Sequence, residues 1–406
     1  MKINIIILIT TLCLLNLRCS AQTDINRIRQ HIKILSSDSI EGRGTGTAGE
    51  KLALTYVQNQ FRLLSLEPKG DHNLFTQKFP FKSGVHGTGA EGTAYNVIGY
   101  IDNKALNTII IGAHYDHLGL GIQGSSLDAN PQGKVHNGAD DNASGTAGVI
   151  ELARYFQTNK VKEKNNFLFI CFSGEELGLY GSKYFTEHPT IDFAKTDFMI
   201  NLDMIGRLNT TSGLMVSGSG TSPVWETILK KLSTDEVPIK TDSSGTGPSD
   251  HTSFYLKNIP VLHFFTGSHS DYHKPSDDWD KVNYDGEAKV LNLIIKLIEA
   301  VDNQPKLAFL TTKNKSMGGS RDFKVTMGVM PSYSSEEEGL KVDGVSEGKP
   351  AQKAGVLTGD LIIQIGDLVI KDIQTYMDAL GKFEKGQSVP VKVKRNSEVK
   401  ELSVTF

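Results

Sequence analysis

The chain has 406 residues, 38% hydrophobic and 22% charged, with 43 Lys+Arg against 46 Asp+Glu for a net charge of −3. Such a length suits two or three domains, and the near-neutral balance excludes a nucleic-acid binder that works by sheer positive charge. Forty glycines against 13 prolines, without period, exclude collagen and a proline-rich linker protein.

Lys2 and an apolar run over residues 3–17 open the chain, and that run is shorter than the ~20 residues a membrane span needs. It ends in Cys19-Ser20-Ala21, a small-residue triplet suited to signal peptidase cleavage before Gln22. Residues 1–21 are therefore expected to be a signal peptide, and the chain to be exported to the periplasm or secreted, without a membrane span. A lipoprotein acylated on Cys19 is the rival, disfavoured by Arg18 where a lipobox wants a small residue. Removing the leader leaves Cys171 as the one cysteine, inside the apolar stretch 167–172. That excludes an intrachain disulfide and favours a buried small hydrophobe over a thiol catalyst.

Residues 25–35 predict a first helix and residues 50–64 a second, amphipathic one. Between them Gly44-Thr45-Gly46-Thr47-Ala48-Gly49 satisfies G-x-G-x-x-G literally, but a polar helix end rather than a buried strand precedes it. The dinucleotide reading therefore falls. From about Tyr95 short apolar runs alternate with helical patterns, predicting an α/β sheet. The candidate strands are residues 95–101, 108–113, 166–172, 197–202, 213–216 and 260–265, and the candidate helices 144–157, 223–232 and 285–301. Residues 22–304 are taken as one domain, 305–320 as a polar linker with Gly318-Gly319, and 321–406 as a small β-rich domain.

The chemistry-bearing residues stand just past the candidate strands. His114-Tyr115-Asp116 comes after the second, a glycine-rich loop leads to Asp140-Asp141-Asn142 before a helix, and Glu175-Glu176 comes after the third. Asp203 succeeds the fourth and Tyr272-His273 lies beyond the last. Ligands bind at the carboxyl ends of strands in open α/β sheets, so one rim receives two imidazoles and three carboxylates. That set suits two Zn²⁺ ions. A bridging carboxylate offsets the repulsion between a close pair of ions, and Asp140 at the helix start is the natural bridge. Adjacent Glu175 and Glu176 leave an extended segment in opposite directions, so one can face the metals and the other act as general base on water held between them. Asp116 is placed to take the other N–H of His114 and fix its tautomer, and Asp277 to do so for His273.

The strings IIIGAHYDH, NGADDNASGTAG, FSGEELGLYGS, NLDMIGR, PSDHTSF and SDYHKPSDD resemble the co-catalytic zinc aminopeptidases of peptidase family M28, over about residues 25–301. The resemblance implies an α/β fold with a mixed central sheet of ~8 strands flanked by helices. It implies His114 and Asp203 on one zinc, Glu176 and His273 on the other, and Asp140 bridging. It makes Glu175 the general base and Tyr272 a hydrogen-bond donor to the tetrahedral intermediate. His251 is assigned to the substrate pocket or to a structural hydrogen bond, and His117 and His136 to the rim rather than to ligation. His31, His72, His86 and His188 are read as surface residues, His263 as strand core.

Residues 350–362, with Gly355 and Gly359-Asp360, resemble the core signature of PDZ domains, over about residues 323–406. That resemblance implies a groove helix at residues 372–380 and an entry loop at 326–329. A peptide C-terminus could add there as a strand, the alternative being a domain that merely shields the peptidase. The expectation is an exported dizinc aminopeptidase acting on peptides or proteins, with no nucleic acid partner. Its alternatives are a single-zinc enzyme of the glutaminyl cyclase type and a non-catalytic peptide-binding protein. Arg207 is the one arginine near a ligand in sequence, which favours aminopeptidase over carboxypeptidase action.

Overall fold

The computed structural model describes residues 23–83, 90–122, 126–312, 325–331, 338–345, 348–371, 373–396 and 398–406. The expected signal peptide, His86 and half of the expected linker, residues 313–320, lie outside them.

Helix α1 (Ile25–Leu35) starts at Asp24, whose side chain accepts from the Asn26 amide, and buries Ile28, Ile32 and Leu35 along one stripe. His31 joins that face, sharing a 2.7 Å hydrogen bond with the Tyr56 hydroxyl. It is 8% exposed, so the surface reading of His31 fails. Helix α2 (Ala48–Leu63) is capped by Thr47 and preceded by a 3-10 segment, Asp38–Arg43. No strand enters the glycine-rich run, in keeping with the rejected dinucleotide reading.

Nine strands form one mixed sheet: β1 (Glu67–Pro68), β2 (Thr76–Lys82), β3 (Glu91–Ile101), β4 (Asn107–His114), β5 (Asn165–Phe172), β6 (Thr196–Leu202), β7 (Leu214–Ser217), β8 (Ile239–Asp242) and β9 (Val261–Phe265). Their order is β1-β3-β5-β4-β6-β9-β7-β8, with β2 pairing on β3. Every residue of β5 is buried, as a central strand covered on both faces requires. Phe167, Phe169 and Cys171 join one core, while Leu168, Ile170 and Phe172 join another on the opposite face. On the first face lie α1, α2, α3 (Gly145–Thr158) and α7 (Tyr284–Val301); on the second lie α4 (Tyr180–Glu187) and α6 (His251–Tyr255). Helix α5 (Trp225–Leu232) packs against α7 and β8. Burying a single Phe of this kind contributes about 1.5–3 kcal/mol.

Strand β2 alternates buried Gln77, Phe79 and Phe81 with exposed neighbours, and Pro80 lies within it opposite Thr93. A proline lacks the ladder N–H and is tolerated at an edge, where β2 sits.

Residues 305–312 do not behave as the expected linker. The Leu307 amide donates to Asp197 Oδ1 at 2.7 Å, the Leu310 amide to the Thr221 carbonyl at 2.8 Å, and the Thr312 amide to the Tyr255 hydroxyl at 2.9 Å. Phe309 packs against the Tyr255 ring. This stretch is the last layer of the first unit.

The C-terminal unit is a six-stranded antiparallel sheet with its own core, built on β10 (Val329–Pro331), β11 (Leu340–Val345), β12 (Leu361–Ile365), β13 (Leu368–Val369), β14 (Ser388–Arg395) and β15 (Glu398–Thr405). Two helices complete it, α8 (Pro350–Lys353) and α9 (Ile373–Leu380). The Gly-Asp of the signature has a plain reason. Gly359 takes φ +91°, and buried Asp360 pairs with Arg395 through both oxygens, at 2.6 and 2.7 Å.

Candidate metal centre

Strand direction builds the site. β4 runs parallel to β5 and to β6, and β6 parallel to β9, with His114 level with Phe172 and Leu202 level with Phe264. Four chain segments therefore leave the sheet on the same rim. His114 is the last residue of β4, Glu175 and Glu176 stand just beyond β5, Asp203 succeeds β6, and His273 lies in the loop after β9.

A turn of wide, π-type helix, Ala139–Ser144, supplies the centre of the site. It is folded so closely that a Cβ at Gly138 would lie 2.2 Å from the Asp141 carbonyl oxygen. Arg43, fully buried, ties the approach to this turn. Its guanidinium donates to the Tyr115, Asn137 and Gly138 carbonyls at 2.8, 2.7 and 2.9 Å and to the Leu35 carbonyl.

Here the structure corrects the sequence reading. Asp141, not Asp140, faces the histidines: Oδ1 lies 3.4 Å from His114 Nε2 and Oδ2 lies 3.1 Å from His273 Nε2. Asp140 turns away, accepting from the Gly206 amide at 2.7 Å and meeting His269 Nε2 at 3.1 Å. The physical reason is the backbone of Asp141, which at φ −105°, ψ 94° leaves the helical region and aims the two neighbouring carboxylates apart.

The remaining donors complete two sets that share Asp141. His114 Nε2 lies 3.4 Å from Asp203 Oδ1, and His273 Nε2 lies 3.2 Å from Glu176 Oε2. His114, Asp141 and Asp203 stand close enough to hold one cation, as do His117, Asp141 and Glu176. His117 is fully buried with Nδ1 2.7 Å from Glu176 Oε1, so it belongs to the interior of the site and not to its rim. Only the doubled histidine of His114-Tyr115-Asp116-His117 points to it in the sequence.

Asp116 supports the site differently from the expected tautomer lock. Its carbonyl oxygen lies 3.2 Å from His114 Nδ1, while its carboxylate stands 3.7 Å away. That carboxylate accepts from the Glu175 amide at 3.2 Å and from the Thr45 hydroxyl at 2.8 Å. Asp277 does not reach His273. It accepts from the Asp140 and Asp141 amides at 2.9 and 3.0 Å and from Arg207 at 3.1 Å. Tyr272 stacks on the His273 ring at 3.8 Å between centroids.

The paired glutamates differ electrostatically. Burial, with Asp203, Asp250 and Glu176 adding negative charge, holds the Glu175 carboxyl well above its ordinary value, against the pull of His114. Burial opposes ionisation of Glu176 too, but the His273 charge and the His117 hydrogen bond bring it down to about 2. Asp250, next to His251, is pushed up to about 7 by burial. His251 is buried with its ring 4.5 Å from that of His263, and neither of its ring nitrogens has a protein partner among the described residues.

The mixed sheet with helices on both faces makes this unit an α/β protein, with imidazole and carboxylate donors gathered at one rim. A sequence model of Peptidase family M28 matches residues 96–298, and one of the PDZ domain matches residues 325–406. The chain belongs to peptidase family M28 and carries a PDZ domain at its C-terminal end. It is similar to Aminopeptidase YwaD of Bacillus subtilis, 28% identical over 231 residues that make up 53% of this chain and 46% of the relative. The chain spans half or less of the length of the first curated relatives it matches. Its fold is shared by an aminopeptidase from Aneurinibacillus sp. strain AM-1, at 18% identity and TM-score 0.55, covering 73% of this chain and 98% of the other. It is shared equally by the glutaminyl cyclase of Porphyromonas gingivalis, at 17% identity and TM-score 0.56, covering 68% and 98%. No helix among the described residues is long and apolar enough to cross a membrane.

Proposed function

We propose that the chain is a dizinc aminopeptidase that removes N-terminal residues from peptides or proteins. The observation that carries this reading is the pair of donor sets sharing Asp141: His114 and Asp203 with one of its oxygens, Glu176 and His273 with the other. Their N–O separations of 3.1–3.4 Å suit two ligands of one tetrahedral zinc, which at bond lengths of ~2.0–2.1 Å lie about 3.3 Å apart. Imidazole with carboxylate is also the donor chemistry zinc accepts. When bound, the two ions would polarise the scissile carbonyl and acidify water beside it.

Glu175 is the general base in this reading. It lies next to the ligand set without belonging to it, and its raised pKa lets it take a proton from the attacking water and return it to the leaving amine. Asp116 fixes the segment that carries it by accepting from the Glu175 amide. Tyr272, held flat on His273, is assigned to the developing oxyanion. Arg207 is engaged by Asp277 at 3.1 Å and Asp271 at 3.5 Å, which leaves it poorly placed to receive a substrate carboxylate and favours the amino terminus. Export, resting on residues 1–21, and capture of a peptide C-terminus by the PDZ domain belong to the same reading.

The glutaminyl cyclase fold relationship sustains a second reading, in which one zinc serves a cyclisation; the second donor set weighs against it. The test is a panel of aminoacyl p-nitroanilides with free and acetylated N-termini, alongside a zinc count on purified protein. Cleavage of free-amine substrates alone, abolished by chelator, with two zinc equivalents, is the expected result. One equivalent and no turnover would transfer the assignment to the cyclase.

A further inference from the structure

We infer that His117 aims Glu176 at its metal by donating a hydrogen bond to it, and is a positioning residue of the site rather than a ligand. This role rests on the dizinc reading. Distances separate the two possibilities. Each donor pair that would share a zinc stands 3.1–3.4 Å apart. His117, Asp141 and Glu176 stand close enough together to surround a cation, but His117 Nδ1 lies 2.7 Å from Glu176 Oε1 and 3.8 Å from Asp141 Oδ2, and both separations depart from the ~3.3 Å between two ligands of one tetrahedral zinc. The shorter distance is that of a charge-assisted N–H···O bond.

The two oxygens of Glu176 are thereby divided. Oε2 faces His273, and Oε1 is occupied by His117. An ionised carboxylate only accepts, so the proton of a neutral His117 ring sits on Nδ1. Nε2, buried and without a protein partner among the described residues, makes no competing bond that would turn the ring.

The ring is held from several sides. The His117 amide donates to the Arg43 carbonyl at 3.1 Å, and Gly44 bridges to His117 as a parallel pair. A Cβ on Gly138 would come within 2.5 Å of the His117 Cδ2, so the glycine is what lets the imidazole lie there. Its edge meets the His273 ring, with centroids 5.7 Å apart at 71°. A carboxylate so restrained has little freedom left to lose when it coordinates, and partners of this kind change metal affinity by about 10–100-fold.

Two variants of the full chain separate the roles experimentally. His117→Phe keeps the ring volume and removes the donor, while His117→Asn presents an amide N–H near the Nδ1 position. Zinc is removed by dialysis against chelator and returned in competition with a chromophoric chelator, and cobalt absorption spectra are recorded for each protein. Wild type is expected to take two equivalents. His117→Phe should bind the first as wild type does and the second about 10–100-fold more weakly, with His117→Asn recovering most of the loss and an unchanged cobalt spectrum. Equal affinity of His117→Phe and wild type for both ions would overturn the inference. So would a cobalt spectrum altered in both variants without recovery by Asn, since that marks a lost ligand. A single equivalent in the wild type itself would remove the dizinc reading and the inference with it, before any variant is considered.

Discussion

Asp140 and Asp141 are consecutive, yet their carboxylates serve opposite surroundings. Asp140 accepts from the Gly206 amide at 2.7 Å, while Asp141 reaches between two histidines, 3.4 Å from His114 and 3.1 Å from His273. The two isosteric changes should therefore separate cleanly. Asp141→Asn is expected to abolish tight binding of both zinc ions. Asp140→Asn should keep two equivalents and cost about 1–3 kcal/mol of stability by weakening the hold on Gly206 and His269. Metal analysis after dialysis, with thermal unfolding of both variants, checks the pair. Retention of zinc by Asp141→Asn would return the bridging role to another residue.

Glu175→Gln keeps the shape of the side chain and removes its basicity. The expected outcome is a fall in kcat of about 10²–10⁴-fold with zinc content unchanged. Steady-state kinetics on a free-amine p-nitroanilide measures it, and a variant with most of its rate intact would discard the general-base assignment.

Arg43 touches no donor of the site, yet four carbonyls depend on it. Replacing it with Met leaves those oxygens buried without a partner, among them the Asn137 and Gly138 carbonyls that lead into the turn carrying Asp141. A loss of about 3–5 kcal/mol is expected, read as a lowered urea midpoint at unchanged slope. A near-neutral Arg43→Met would mean that water replaces the guanidinium.

Glu50 offers a pH test away from the donors. It is buried beside the Ser173 and Tyr115 hydroxyls, and burial pushes its carboxyl up from 4.5 to about 7. A pKa raised on folding means the folded chain holds a proton that the unfolded chain has released between those values. Stability from this residue is therefore full below pH 4.5 and lost as pH rises through about 7. Glu50→Gln carries no such dependence, so its Tm relative to wild type should rise steadily from about pH 5 to about pH 8. A constant difference across that range would contradict the assignment.

Much of this molecule is legible in its sequence. The apolar runs of β4, β5 and β6 are long and unbroken because those strands are covered on both faces, and burial of that kind writes itself plainly into the residue pattern. The residues just past them are placed by strand direction alone. The choice between Asp140 and Asp141 is not, because it turns on a single φ/ψ pair within a helix start, which composition cannot encode. β2 escapes because Pro80 argues against a strand unless the strand is known to lie at an edge. Helix α4 escapes because it begins beyond Leu179 in the left-handed region and includes Gly181, both weak as helix signals. His31 reads as a surface residue because its partner, Tyr56, comes from another helix.

The chain from Leu307 to Thr312 returns across the first unit and ends on the loop before α6, where the Gly245 amide donates to Thr312 Oγ1 at 3.0 Å. From that anchor to Val325 there are about a dozen residues. Fully extended at ~3.3–3.6 Å each, they reach no more than about 45 Å. In the proposed reading, a peptide taken up by the PDZ domain would therefore meet the peptidase at an effective concentration bounded by that span rather than by its abundance in solution.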